Sequence, residues 1–128
     1  MNRKLVSQLK ALSPGCLLRV DWWDASTGKT VMSGPVDIPV TSWGVFVCLF
    51  GERNQYIILA QNNFRMSEYL YDIDYTAIPV AWTTSFQVLN TAVIKTEEAD
   101  KLLHSFVAGA RRRGQVSSRA QMRAVNGS

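Results

Sequence analysis

Trp43-Gly44-Val45-Phe46-Val47-Cys48-Leu49-Phe50-Gly51-Glu52-Arg53-Asn54-Gln55-Tyr56-Ile57-Ile58-Leu59-Ala60-Gln61 decides the fold of this 128-residue chain. Two runs rich in β-branched and aromatic residues flank the polar break Gly51-Glu52-Arg53-Asn54, the pattern of a β-hairpin with a short loop. Simple alternation sends Val45, Val47 and Leu49 to one face and Phe46, Cys48 and Phe50 to the other. Neither face suits water, so the pattern predicts a central hairpin covered on both sides.

Upstream, Leu5, Leu9 and Leu12 recur at helical spacing and Ser13-Pro14-Gly15 stops the helix. Cys16 to Asp24 reads as a strand, with Leu18, Val20 and Trp22 on one face and Leu17, Arg19, Asp21 and Trp23 on the other. Ala25 to Pro39 is rich in Ser, Thr, Gly and Pro and reads as a long loop, with a short strand near Lys29 to Met32 as an option. Downstream, Asn62 to Glu68 reads as polar and irregular. Tyr69 to Thr76 alternates aromatic against acidic positions, Ala77 to Val80 reads as a break at Pro79, and Trp82 to Val93 returns to strand composition. Thr96 suits a helix N-cap, Glu97 and Glu98 suit the first turn, and Ala99, Leu102, Leu103, Phe106, Val107 and Ala110 form one apolar stripe.

The length suits one domain with its own core, and no run of residues approaches the roughly 18 apolar positions of a membrane span. The first residues lack the apolar segment and cleavage site of a signal peptide, which predicts a cytoplasmic protein. Cys16 and Cys48 form no C-x-x-C pair and read as buried thiols. The net charge of +4 is unevenly placed: residues 1–110 hold nine Lys and Arg against ten Asp and Glu, whereas residues 111–128 hold five arginines and no acid. The basic character belongs to the C-terminal segment alone.

A short helix, about five short strands and a strongly apolar central hairpin resemble the small β-barrels of the Sm/LSm-like and wider SH3-like type. The residues carrying the likeness are Pro14 to Val20 as a first strand, Trp43 to Phe46 through Tyr56 to Leu59 as bent second and third strands, and Ile78 to Leu89 as the closing Ile-Pro and strand. It covers roughly residues 3–93. The resemblance implies a mainly β fold, a five-stranded, strongly bent antiparallel barrel over residues 1–95, while the residues downstream predict a C-terminal amphipathic helix over 96–113 and a flexible basic tail over 114–128. It further implies RNA held in loops and assembly into rings through edge strands. The loop Glu52-Arg53-Asn54-Gln55 lacks the family's Asp-x-x-Met-Asn order, and no Arg-Gly stands near Trp82.

Other chemistry is sparse. Gly28-Lys29-Thr30 lacks the earlier glycine of a phosphate loop, Trp23 standing in its place. Asp72 and Asp74 share one strand face about 7 Å apart, a spacing that suits a cation or a pair of acid and base groups as well as a solvated face. His104 is the only histidine, so no histidine pair is offered to a metal, and no cofactor is implied. Of the adjacent Trp22 and Trp23, one is expected to point outward. The expectation is a noncatalytic homo-oligomer without membrane contact that binds RNA or single-stranded nucleic acid. Arg111, Arg112, Arg113, Arg119 and Arg123 would contact phosphates, and Arg53, Asn54, Gln55, Asn62, Asn63 and Arg65 would meet bases. The alternative is an assembly or adaptor module that uses exposed aromatic residues.

Overall fold

A computed structural model describes residues 3–24, 38–65 and 71–112. A helix, α1 (Arg3–Lys10), precedes five strands: β1 (Leu17–Asp24), β2 (Ile38–Phe50), β3 (Tyr56–Arg65), β4 (Tyr71–Pro79) and β5 (Thr83–Asn90). A second helix, α2 (Thr96–Arg112), follows them. The strands pair antiparallel in the order β4-β3-β2-β1-β5. The expected mainly β architecture with a helix at each end is therefore present, but the barrel is not closed. β4 and β5 are the two edges of the sheet. They are joined by a single 3-10 turn, Val80–Trp82. At that corner Pro79 has no N–H to offer, and Thr83 takes the two carbonyls, its hydroxyl donating to Pro79 O at 3.0 Å and its N–H to Val80 O.

The central hairpin is built as its sequence requires. Gly51 adopts φ +115° in the turn, where a Cβ would overlap the backbone of Asn54. β2 pairs with β1 from Ile38 to Val45 and with β3 from Val45 to Phe50, so it bends and changes partner at Gly44–Val45. Glycine is needed at this bend, since a Cβ on Gly44 would lie 2.8 Å from the Leu59 Cβ.

The alternation expected within β2 is broken. Phe46 pairs with Leu59 and Cys48 with Ile58, which leaves Val47 as the extra residue of a β-bulge. The bulge shifts the parity of the strand. Phe46 and Leu49 enter one core with Leu18, Val20, Ile57, Leu59, Ile78, Val80 and the α1 residues Leu5 and Leu9. Val47 and Cys48 enter a second core on the opposite face with Ile58, Ala60 and the α2 residues Leu102, Leu103, Phe106 and Val107. Phe106 stands edge-on to Phe50 (4.9 Å, 88°) and to Tyr75 (5.0 Å, 89°), each contact adding about 0.5–1.5 kcal/mol to the burial itself.

Further differences from the sequence reading concern strand length. Asn62–Arg65 continue β3 by pairing with β4 beyond a second irregularity at Gln61, because the ladder supplies what side-chain propensity does not. β4 runs through Ala77, Ile78 and Pro79 without a break, since an edge strand tolerates proline. β2 begins at Ile38, with Pro39 opposite Trp23. In α2 the Ala99 N–H donates to Lys95 O, so Lys95 and not Thr96 is the cap residue. Residues 25–37, where the sequence predicts a long loop that includes Gly28-Lys29-Thr30, and residues 113–128, where it predicts a tail, lie outside the described residues.

Two measurements check this architecture. Gly44→Ala should lower stability by about 1–3 kcal/mol in urea, because a methyl there must push β3 away. Cys48 lies under α2 and burial pushes its thiol pKa up to about 12, so in native buffer it should react with a thiol reagent only as the domain opens. Fast labelling of Cys48 in the folded protein would contradict the placement of α2.

Candidate functional site

Because β2 leaves β3 at Gly44, α2 roofs only part of the outer sheet face. Its partners are Val47, Cys48, Ile58 and Ala60, with Val45, Phe50, Ile73 and Tyr75 at the margin. The rest of that face, formed by β1, β5 and the first half of β2, carries no helix among the described residues. In register it presents Trp43 beside Arg19 and Gln87, then Thr41 beside Asp21 and Ser85, then Pro39 beside Trp23. Trp43 is 55% exposed and Trp23 43%. Trp22, the other member of the adjacent pair, packs into the inner core and donates its indole N–H to Ser42 Oγ at 3.1 Å.

The polar floor between the two tryptophans is tied together. Thr41 Oγ1 donates to Asp21 Oδ1 at 2.7 Å, Arg19 reaches the same oxygen at 3.4 Å, and Ser85 Oγ donates to Asp21 Oδ2 at 3.4 Å. The Thr41 hydroxyl is the main reason the Asp21 carboxyl is held below the ordinary carboxylate range, with Arg19 and Ser85 acting in the same direction against desolvation. Thr84 Oγ1 donates to the Asp21 carbonyl at 3.0 Å and ties edge strand β5 to β1. On the other flank, Gln61 Nε2 donates to Trp43 O at 2.6 Å and Gln61 Oε1 accepts from Thr76 at 2.7 Å, holding the point where β2 and β3 part.

The residues expected from sequence to meet bases fall into two groups. Arg53 and Asn54 are exposed and Gln55 half-buried in the turn between β2 and β3. Asn62 and Asn63 lie toward the opposite end of β3, which Arg65 closes; from Gln55 to Asn63 the strand rise alone gives about 26 Å, which bending shortens. The two groups do not form one pocket. Asn62 Nδ2 donates to Asp74 Oδ2 at 3.1 Å, while Asn63 lies opposite Ile73 with its Oδ1 enclosed and unpartnered. Arg111 is exposed near the end of α2 and Arg112 is its last residue. Arg113, Arg119 and Arg123, and the side chains of Arg65 and Arg112, lie outside the described residues.

The remaining candidates are scattered. Asp72 and Asp74 are both exposed on edge strand β4. No group of three or more His, Cys, Asp or Glu able to hold a metal ion occurs among the described residues. His104 is exposed on α2, with Nδ1–H donating to the Asp100 carbonyl at 2.8 Å, and Cys16 and Cys48 are buried thiols. No helix among the described residues is long and apolar enough to cross a membrane.

Sequence reasoning put Arg19, Asp21 and Trp23 on one face of β1 but did not bring Trp43 to the same place. The signal was present in the parity of β1; what joins the residues is the β1–β2 register. Comparison with protein-family models, curated proteins and solved structures finds no match to this chain.

Asp21 gives a pH-dependent signature. Its folded pKa is depressed, so the stabilisation it brings is present above the ordinary carboxylate value near 3.8 and is lost as pH falls through the lower folded value. Thr41→Val should raise the Asp21 pKa toward ordinary, as read by NMR titration of the carboxyl carbon. An unchanged titration would remove the Thr41 bond as its main cause.

Proposed function

We propose that this chain is a noncatalytic, cytoplasmic protein of Sm-like build that binds RNA or other single-stranded nucleic acid. The observation that carries the reading is the separation of charge from fold. Residues 1–110 sum to −1 and residues 111–128 to +5. The cationic segment begins where α2 ends, and α2 is pinned to the outer sheet face by Leu103, Phe106 and Val107, all buried. Arg111 and Arg112 close α2 and the other three arginines follow in the sequence, on a chain whose first 110 residues carry almost no net charge to repel or attract phosphate. The element order supports the Sm-like likeness: a short helix, then five antiparallel strands with a long bent second one.

A second reading, an assembly module, is favoured by the two sheet edges. β4 and β5 each lack a ladder partner on their outer side among the described residues, and copies could add edge to edge. That arrangement is compatible with nucleic-acid binding by a homo-oligomer.

Fluorescence anisotropy with a labelled single-stranded oligonucleotide separates the readings. Binding should weaken steeply with salt, and deleting residues 113–128, which leaves α2 whole and removes three arginines, should lower the slope of log K against log salt by about 2. An unchanged slope would take the tail out of the mechanism, and no binding at low salt would favour the assembly module.

A further inference from the structure

We propose that the open outer face of β1, β5 and the first half of β2 is a base-stacking platform, on which Trp43 and Trp23 hold two bases of a single strand and Asp21 reads an amino edge between them. This rests on the nucleic-acid reading above and assigns it a surface that the arginine segment does not supply.

The geometry comes from register. Arg19, Asp21 and Trp23 are alternate residues on one face of β1, and Trp43 is directly opposite Arg19. Arg19 and Trp23 are therefore about 13 Å apart along the strand. The two indoles belong to opposite ends of the patch, farther apart than neighbouring stacked bases, so the bases they hold are separated by at least one other. Their exposure is large for tryptophan, 55% and 43%, and both lie outside the two cores.

The chemistry selects the occupant. A peptide binding across a sheet face needs pockets for alternate side chains, but the floor here is closed by the Thr41, Arg19 and Ser85 contacts to Asp21. An exposed pair of indoles with a cross-strand guanidinium suits bases, each of which has a π face, and Arg19 can meet a phosphate beside the base on Trp43. Asp21 is the feature that a purely phosphate-binding surface would avoid. Its charge is offset by Arg19 and two hydroxyls, yet the two 3.4 Å contacts leave lone-pair capacity on the carboxylate. A carboxylate accepts from the exocyclic amino group of cytosine and finds no donor at the corresponding keto edge of uracil.

The test uses the full chain with short oligo(rC), oligo(rU) and inorganic polyphosphate, read by anisotropy or competition and by intrinsic tryptophan fluorescence. Oligo(rC) should quench that fluorescence and polyphosphate should not. Trp43→Ala should weaken oligo(rC) binding about tenfold with polyphosphate binding unchanged, and Trp43→Phe should recover most of the loss. Both positions are exposed, so the variants should keep the parent's circular dichroism spectrum. Oligo(rC) should bind about fivefold tighter than oligo(rU), and Asp21→Asn should narrow the gap. If the Trp23→Ala, Trp43→Ala double variant binds oligo(rC) as tightly as the parent, the platform is refuted while nucleic-acid binding stands. Equal affinity for the two oligomers refutes the role of Asp21. Failure of the parent protein to bind any oligonucleotide refutes the nucleic-acid reading, and the platform with it.

Discussion

Residues Phe46 to Phe50 bury apolar side chains on both faces of β2, and each face is kept from water by a different helix. Leu5 and Leu9 of α1 close one side, and Leu102, Leu103, Phe106 and Val107 of α2 close the other. With roughly 1.5–3 kcal/mol at stake for each large side chain left in water, neither helix is an optional appendage to the sheet. The Val47 bulge makes the arrangement workable by sending two successive residues, Val47 and Cys48, beneath α2 while Phe46 and Leu49 fill the inner core.

The bend in β2 has a consequence on the surface. β2 pairs with β1 along its first half and with β3 along its second, and α2 packs on the second of these arms. α2 follows the more apolar arm. The other arm stays open and polar, and its side chains satisfy one another: Asp21 with Thr41, Arg19 and Ser85, and Gln61 with Trp43 O and Thr76. Exposed tryptophans on such a surface are unusual because their burial would be favourable, and here nothing in either core takes them up.

Charge is arranged on a different principle from shape. Residues 1–110 are close to neutral, and the excess of arginine begins in the last turn of α2.

By itself the sequence determined the kind and number of elements and most of the core. The apolar stripe of α2, the Leu5 and Leu9 pair of α1, the inward Leu18, Val20 and Trp22 of β1 and the turn at Gly51 all follow from period and turn chemistry, which are local properties. Tertiary structure alone decided the parity of β2, since a bulge is set by the partner strand and leaves no mark in the alternation of Val45 to Phe50. It also decided that Asn62–Arg65 and Ala77–Pro79 belong to strands, because ladder bonds outweigh weak β-propensity, and that β4 and β5 do not pair to close the sheet. The same holds for the candidate site. Arg53 and Asn63 are near in the sequence but fall toward opposite ends of β3, while Arg19 and Trp43 are 24 positions apart and face each other, as pairing between strands brings together what chain order does not.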